Sequence, residues 1–282
     1  MRKNQPILIT GCSSGIGYCA AHTLHQRGYR VIATARKPED VELLRAEGLE
    51  ALQLDLADSA SIQAAVATVL ELTNGRLYAL FNNGAFGQPG AVEDLSREVL
   101  RAQFETNLFG WLELTNLVLP VMRRQGEGRI IQNSSVLGLV TLPFRGAYNS
   151  SKFALEGLSD TLRMELNGTG IHVSLIEPGP IESRFRANAY ALLKQNIDTE
   201  HSPFREKYLG AEKRLQKEGH AAPFTLPADA VVEKVIHALE SPRPRARYYV
   251  TFPTYLFGTL RRLLSTRMLD RIMLKISGSE NR

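Results

Sequence analysis

Short apolar runs alternate along the chain with longer segments in which apolar residues recur every three or four positions. The runs predict buried strands at 6–10, 29–34, 50–55, 77–82, 129–134, 171–177 and 248–251. The segments between them predict helices, among them 18–27, 38–47, 58–73 and a long one at 96–124. Strands and helices that alternate in this way form βαβ units around a parallel sheet. We therefore expect an α/β protein, a doubly wound Rossmann fold with a parallel sheet of about seven strands.

One large unit and a C-terminal extension account for the whole chain. No Pro-, Gly- or Ser-rich linker interrupts the 282 residues, which favours one enlarged Rossmann-type domain over 1–252. Within it, the connection 186–226 is long for an α/β fold. Such connections usually carry substrate recognition as a lid, and an extra helical pair that covers the sheet edge is the alternative.

The extension, 253–282, predicts one amphipathic helix over 255–276. Arg267, Arg271 and Lys275 recur every four residues along it, beside a wide apolar surface. A helix of this kind can lie in an anionic membrane interface. Packing on the domain or in a dimer contact is the competing interpretation, and we rank it slightly higher.

Charge is concentrated in the same region. Residues 241–282 contain nine Lys and Arg against two Asp and Glu, so this tail accounts for all of the net charge of +5 and the first 240 residues are slightly negative. A main domain without a basic face is not expected to bind nucleic acid.

The composition is that of a globular protein, with 44% hydrophobic and 22% charged residues. The N-terminal apolar run is four residues long and no run reaches eighteen, so we expect neither a signal peptide nor a transmembrane helix. The two cysteines, Cys12 and Cys19, lie in one segment, which favours a reducing compartment. We expect a cytoplasmic protein, with peripheral contact at the inner membrane surface if the extension binds lipid. The six histidines lack ligand spacing, so no metal is expected.

A glycine loop follows the first strand. Gly11, Gly15 and Gly17 stand between that strand and a helix, where missing side chains allow a tight turn and let a phosphate approach the helix N-terminus. A plain turn is the alternative, but the flanking βαβ pattern favours nucleotide binding.

Tyr148 and Lys152 are four positions apart in a segment predicted to be helical, so their side chains share a face. An ammonium near a phenol favours the phenolate and would lower the pKa of the tyrosine from about 10 towards neutrality. The pair could thus act as a general acid or base, although a solvated surface pair has the same spacing.

Several motifs, in one order over about the first 185 residues, resemble the short-chain dehydrogenase/reductase family. They are TGCSSGIG at 10–17, Asn82 to Ala85, Asn107, Ser135, Tyr148, Lys152 and Pro178-Gly179. The amphipathic tail is similar to those of the hydroxysteroid and retinol dehydrogenase-like branch, whose members prefer NADP. One departure is that the family's usual Asn-Asn-Ala-Gly stands here as Asn82-Asn83-Gly84-Ala85, which affects fine positioning in the loop.

The resemblance implies roles for particular residues. Ser135 would hydrogen-bond the substrate carbonyl, Tyr148 would deliver a proton to its oxygen, and Lys152 would lower the pKa of the tyrosine and hold the nicotinamide ribose. Asn107 would support a water relay to Lys152. The cofactor site implied by the family comprises Gly11, Ser13, Ser14, Gly15, Ile16, Gly17, Asp55, Leu56, Asn83, Lys152, Pro178, Gly179, Ile181 and Ser183.

The end of the second predicted strand bears on the choice of cofactor. A carboxylate there would accept hydrogen bonds from the adenosine ribose of NAD, but this chain has Ala35 followed by Arg36. A guanidinium suits a 2′-phosphate by charge and geometry, so NADP(H) is preferred over NAD(H). A solvated loop cation is the alternative for Arg36.

A lipophilic aldehyde, ketone or alcohol of steroid, retinoid or fatty aldehyde type is the expected substrate. The apolar residues proposed for its pocket are Leu137, Val140, Phe144, Phe185, Tyr190, Leu192, Leu193 and Phe204. Family resemblance also implies a homodimer or homotetramer. Two alternatives to this NADP-dependent oxidoreductase are a redox-sensing NADP(H)-binding protein without turnover and a membrane-surface scaffold that acts through its C-terminal helix.

Overall fold

Seven strands form one parallel sheet in the computed structural model, which describes residues 4–217, 219 and 222–280. The strands are β1 (Pro6–Ile9), β2 (Arg30–Ala35), β3 (Glu50–Gln53), β4 (Ala79–Asn82), β5 (Gly128–Asn133), β6 (Ile171–Glu177) and β7 (Arg247–Tyr249). Their order is β3-β2-β1-β4-β5-β6-β7, and each pairs in parallel with its neighbours. The doubly wound parallel sheet expected from the hydrophobic pattern is therefore confirmed.

Helices connect the strands and cover both faces of the sheet. They are α1 (Gly15–Gln26), α2 (Pro38–Ala46), α3 (Ser59–Leu72), α4 (Arg97–Phe104), α5 (Gly110–Gln125), α6 (Gly146–Glu165), α7 (Phe185–Asn196), α8 (Arg205–Gln216), α9 (Asp229–Glu240), α10 (Phe252–Leu263) and α11 (Thr266–Glu280). Short 3-10 turns lie at Val92–Asp94 and Val136–Gly138.

Each strand contributes alternate side chains to two hydrophobic cores. Ile7 and Ile9 of β1 pack in the core that also includes residues of α1, α2 and α9. Leu8, between them, packs in the opposite core with residues of α3, α5 and α6. Because successive strand residues point to opposite faces, a sheet covered on both sides is apolar at every position, and β1 is fully buried over its whole length.

The predicted long helix at 96–124 is interrupted. A π-helical turn at Glu105–Phe109 separates α4 from α5, and it contains Asn107. At the start of α5, a Cβ on Gly110 would lie 2.0 Å from the backbone oxygen of Leu56, so only glycine allows this helix to approach the loop after β3 so closely. Single π turns inside helices often occur at functional sites.

The prediction of one C-terminal helix over 255–276 is wrong. The backbone of Leu264 is extended, with ψ at 147°, and this residue ends α10 before α11 begins. The first of these helices packs on the domain, because Gly258 lies against the ring of Tyr249 and the Arg261 guanidinium lies 4.8 Å from the ring centroid of Phe153. Apolar side chains of the two helices that remain exposed are Phe252, Tyr255, Leu256, Leu263, Met268 and Leu274.

Within the described part of the chain, no helix combines the length and the apolar character needed to cross a bilayer.

Candidate active site

The carboxyl ends of β1 and β4 form the crevice in which the candidate site lies. The two strands are adjacent in the sheet, but the chain leaves β1 towards β2 on one side and later returns to form β4 on the other. Ligands of open α/β sheets bind at such a reversal of strand order. A cavity of about 750 Å³ opens here, and its wall runs from the glycine loop after β1 to the segment 178–189 after β6.

The glycine loop is tight because its backbone touches two other segments. Gly11 has a φ of +70°, and a Cβ on it would lie 2.5 Å from the Cα of Gly84 in the loop after β4. A Cβ on Gly17 would lie 2.2 Å from the backbone oxygen of Gly11. Neither position accommodates a side chain, so both glycines are required by this geometry rather than by flexibility alone.

Hydrogen bonds join the glycine loop to the neighbouring strand ends. The Asn83 Nδ2 donates to the backbone oxygens of Thr10 and Gly11 at 2.9 and 3.2 Å, and its Oδ1 accepts from the Nδ2 of Asn133. The inverted pair Gly84-Ala85 puts the smaller residue against Gly11, where a Cβ would lie 3.0 Å from a Leu56 methyl. This arrangement keeps the loop after β4 in close contact with the glycine loop.

The first turn of α1 is suited to hold a phosphate. The N-cap residue, Ser14, makes no side-chain capping hydrogen bond, and the first turn contains no acidic residue. Ser13, Ser14, Gly15 and Ile16 line the cavity, and Gly15 has a φ of +58° that an L side chain rarely adopts. Unpaired amides and the positive end of a helix dipole attract anions, so the residues present fit a dinucleotide pyrophosphate.

The opposite wall of the cavity comes from the segment after β6. Pro178, Gly179, Ile181 and Ser183 all line it. A Cβ on Gly15 would lie 3.1 Å from the Cβ of Ser183, so the two walls meet at the glycine loop. The proposed carboxamide-binding segment therefore lies beside the proposed phosphate-binding loop.

Tyr148 and Ser135 lie together in the cavity wall. Ser135 follows β5 at the start of a 3-10 turn, where its Oγ accepts from the backbone N–H of Leu137 at 3.1 Å. Its hydroxyl is also close enough to that of Tyr148 on α6 to lower the pKa of the tyrosine. The spacing argument that selected Ser135 over Ser134 agrees with this geometry, since the Ser134 Oγ donates instead to Glu156.

The expected lowering of the pKa of Tyr148 is not found. Burial raises the pKa of Tyr148 to about 12, and the hydrogen bond with Ser135 opposes that shift only in part. Burial also lowers the pKa of Lys152 to about 7, against the charge of Glu156. Since both groups share one desolvated environment, each favours its neutral form, and the ammonium does not dominate the phenol.

Lys152 is fully buried and held by two contacts. Its Nζ donates to the backbone oxygen of Asn133 at 2.7 Å and lies 4.4 Å from the ring centroid of Trp111. The same nitrogen lies 5.7 Å from the ring centroid of Tyr148. The amine is therefore fixed beside the tyrosine in the wall of the cavity.

Asn107 is near this group without touching the lysine. Its Nδ2 donates to the backbone oxygen of Phe86 at 2.9 Å and to the Oγ of Ser151 at 3.3 Å, and its Oδ1 accepts from the Phe86 N–H. The interrupted helix between α4 and α5 sets this position. A water relay from Asn107 to Lys152 stays a prediction.

Arg36, Asp55 and Leu56 lie outside the cavity wall, at the carboxyl ends of β2 and β3. The Arg36 side chain is exposed and takes part in no ion pair with the described residues. The Asp55 Oδ1 accepts from the backbone N–H of Ala57, and Leu56 packs against Gly84. These residues follow β2 and β3, on the side of β1 away from β4, where the far end of an extended dinucleotide would reach.

The family model described as short chain dehydrogenase matches residues 5–192, which is more than half of the chain. The chain belongs to the short-chain dehydrogenase family.

Three relatives in this family are similar over most of their length. The "Uncharacterized oxidoreductase YbbO" of Escherichia coli K12 is 45% identical over 95% of this chain and 93% of its own. Human "17-beta-hydroxysteroid dehydrogenase type 1" is 36% identical over 87% and 77%, and the "NADPH-dependent 3-dehydrocapnine reductase" of Ornithobacterium rhinotracheale is 32% identical over 95% of each. Among solved structures, a short-chain dehydrogenase from Streptomyces avermitilis superposes with a TM-score of 0.78 at 29% identity, covering 99% of both chains.

The apolar pocket of this short-chain dehydrogenase differs from the predicted one. Leu137, Phe144 and Phe185 line the cavity, but Val140, Tyr190, Leu192, Leu193 and Phe204 do not. Tyr190, Leu193 and Phe204 instead belong to a small core that also contains Tyr208 of α8 and Ala91 of the segment after β4. The lid segment has to bury an apolar face to be stable by itself, so the helical pair weighed as an alternative is present.

Sequence reasoning missed Trp111, Glu156 and Arg247. Trp111 donates its Nε1 hydrogen to the backbone oxygen of Gly84 at 2.8 Å while its ring faces Lys152. Glu156 is buried one helical turn after Lys152, and Arg247 on β7 pairs with it. The i, i+4 spacing of Lys152 and Glu156 was a signal in the sequence, whereas Arg247 is 91 residues from Glu156 and had none.

Proposed function

We propose that the protein is an NADP(H)-dependent oxidoreductase that transfers a hydride between nicotinamide and the carbonyl or hydroxyl group of a lipophilic aldehyde, ketone or alcohol. The observation that carries the proposal is that Tyr148 and Ser135 lie together in the wall of a cavity that also contains the glycine loop. This is the arrangement that a carbonyl reduction needs: a proton donor, a second hydroxyl and a dinucleotide cradle in one space.

The residues of the chain perform the proton chemistry, while the dinucleotide, when bound, supplies the hydride. Because burial raises the pKa of Tyr148 to about 12, the phenol stays protonated near neutral pH and is prepared to act as an acid. Ser135 orients the carbonyl oxygen towards that proton. Lys152, whose pKa burial lowers to about 7, can exchange a proton at neutral pH and so return one to the tyrosine. This protonation state suits the reductive direction.

Three observations support a preference for NADP(H) over NAD(H). The exposed Arg36 guanidinium follows the last residue of β2, where a carboxylate would favour NAD. It has no partner carboxylate among the described residues, so it is available to a phosphate. A relative of almost full-length similarity is named an NADPH-dependent reductase.

The shape and chemistry of the cavity support a lipophilic substrate. The wall near Tyr148 includes Leu137, Leu142, Pro143, Phe144 and Phe185. A relative named a hydroxysteroid dehydrogenase is consistent with that class. The same wall also carries charged side chains of both signs, among them Glu182 and Arg184.

Two contacts outside the cavity belong to the same proposal. The exposed apolar side chains of α10 and α11, with Arg262, Arg267, Arg271 and Lys275 beside them, favour peripheral contact with an anionic membrane. Co-sedimentation with vesicles that contain phosphatidylglycerol measures that contact.

A groove of about 180 Å³ lies between α5 and α6, beside the exposed Leu112 and Leu158, and favours a homodimer or tetramer. Light scattering measures the oligomeric state.

A Tyr148→Phe variant tests the activity. Turnover of a carbonyl panel (a 17-ketosteroid, retinal, a fatty aldehyde and a long-chain 3-keto acid) is followed by NADPH absorbance, and we expect a loss of at least about 100-fold in kcat. NADPH binding, measured by its fluorescence, should change little because the hydroxyl is not the anchor of the dinucleotide. The control is Tyr18→Phe, an exposed tyrosine on α1. Retained turnover in Tyr148→Phe would refute the catalytic assignment.

A further inference from the structure

A buried charged cluster lies directly behind Lys152. Glu156 follows the lysine by four residues on α6, so the two side chains lie on one helix face. The Glu156 Oε1 accepts a short hydrogen bond from the Oγ of Ser134. Ser134 stands between Asn133, whose carbonyl holds the lysine, and Ser135, whose hydroxyl meets Tyr148. Glu156 is thereby attached to the strand end that carries both partners of the active site.

Arg247 of β7 holds Glu156 from the other side. Its Nη1 donates to Glu156 and, at 2.8 Å, to Glu177 of β6, and its Nη2 donates to Asp160 of α6. One guanidinium thus faces three carboxylates in a largely buried space. Three negative charges around one positive charge are unfavourable in such surroundings, so one carboxyl has to keep its proton.

Glu177 is the carboxyl group that keeps its proton. This residue is fully buried, and its Oε2 has no hydrogen-bond partner in the described part of the chain. Burial and the charge of Glu156 raise the pKa of Glu177 to about 8. Below that value Glu177 is mostly neutral, and the charge of Arg247, with the hydrogen bond from Ser134, opposes the burial that raises the pKa of Glu156.

The remaining charged groups around Glu156 do not cancel this effect. Asp160 is also paired with Arg163 at 2.9 Å. From α10, Arg261 donates to the backbone oxygen of Leu139, and Arg262 acts on Tyr249 of β7. Lys152, four residues before Glu156 on α6, is the cation whose pKa the charge of Glu156 raises.

We propose that Glu156 is a positioning residue that keeps the buried amine of Lys152 charged, and that Arg247 holds Glu156 in its ionised state for this purpose. The inference rests on the proposed role of Lys152 in the active site. Burial by itself disfavours the ammonium, and the carboxylate of Glu156 is the charge that opposes this. Without that carboxylate, Lys152 would lose its proton below neutral pH and could neither hold a ribose hydroxyl as a cation nor return a proton to Tyr148.

The variant Glu156→Gln removes the charge and keeps both the size of the side chain and an oxygen for Ser134. Lys152 is titrated by NMR in protein labelled with 13C at lysine Cε, with its signal assigned from Lys152→Met. We expect the pKa of Lys152 to fall by about one unit. In NADPH-dependent turnover, the alkaline limb of the kcat profile should move to lower pH by the same amount. The kcat of Glu156→Gln should therefore be about tenfold below that of the wild type at pH 8 and within about twofold of it at pH 6.

The matched control is Glu165→Gln, the same substitution at an exposed position of α6, which should leave the titration of Lys152 unchanged. If Glu156→Gln does not fold, Glu156→Asp provides the test, because it withdraws the charge by one methylene and should lower the pKa of Lys152 by a smaller amount. An unchanged titration in a folded variant, or a loss of activity that is equal at every pH, would overturn the inference. Since the titration needs no turnover, a failure of the proposed activity is distinguished from a failure of this inference.

Discussion

Phe185, the first residue of α7, lies edge-on against Tyr148, with the ring centroids 5.3 Å apart and the planes at 65°. The same ring touches Gly87 in the segment after β4, where a Cβ would lie 2.5 Å from its Cζ. The residue directly before the lid segment 186–226 is thus an aromatic side chain in contact with the proposed proton donor. The size of the substrate that can reach Tyr148 depends on this ring.

Replacement of Phe185 by alanine should widen substrate choice. An edge-to-face aromatic pair contributes about 0.5–1.5 kcal/mol, which corresponds to roughly a two- to tenfold effect. We expect the ratio of kcat/KM for a bulky ketone to that for a small aldehyde to rise by such a factor. Phe252→Ala, at an exposed position on α10, is the matched control. An unchanged ratio in Phe185→Ala would show that the ring does not limit access.

Arg36→Ala should weaken NADPH far more than NADH. Hydrogen bonds to charged groups contribute about 1.5–3 kcal/mol, so the Kd of NADPH is expected to rise roughly 10- to 100-fold while that of NADH stays within a factor of about two. Lys37→Ala is the control, since Lys37 is an exposed neighbouring cation, 3.8 Å from Glu39. Fluorescence titration with both cofactors measures the difference. Equal losses for the two cofactors would contradict the NADP(H) preference.

The strands and most helices of this protein can be predicted from its sequence, and each exception has a local cause. All seven strands follow from apolar runs because a sheet covered on both faces is apolar at every position. The break at Leu264 was missed because the apolar periodicity continues across it from α10 into α11. The environment of Tyr148 was misjudged because helical spacing places Lys152 beside it but does not reveal that both are withdrawn from water. Arg247 could not be predicted from the sequence, because only the folded chain brings β7 close to α6.

Two glycine-to-alanine variants should have opposite effects on stability. At Gly11, the positive φ and a Cβ 2.5 Å from the Cα of Gly84 should cost more than about 1 kcal/mol and abolish NADPH binding. At Gly157, in the exposed middle of α6, a Cβ meets nothing within 4 Å. Alanine there should stabilise the protein by about 0.5–1 kcal/mol, because glycine is a poor helix former. Denaturant unfolding measures both, and destabilisation by Gly157→Ala would contradict the second expectation.

Glu177 predicts a pH dependence of stability with a definite sign. Burial, followed by the charge of Glu156, raises the pKa of Glu177 from 4.5 to about 8 in the folded protein. Between those values, the folded chain keeps a proton that the unfolded chain has lost. The free energy of unfolding contributed by this group is therefore fully present below pH 4.5 and falls as the pH rises towards 8.

Glu177→Gln should remove that fall. Glutamine resembles the protonated acid and still offers an oxygen to the Nη1 of Arg247, so the variant should match the wild type near pH 5 and become the more stable of the two near pH 8. Denaturant midpoints at pH 5, 6.5 and 8 measure the difference, with Glu165→Gln as the exposed control on α6. A difference that stays constant with pH, or that favours the wild type at pH 8, would show that Glu177 is ionised in the folded protein. The charge of Arg247 would then be shared among three carboxylates instead of being left to Glu156 and Asp160.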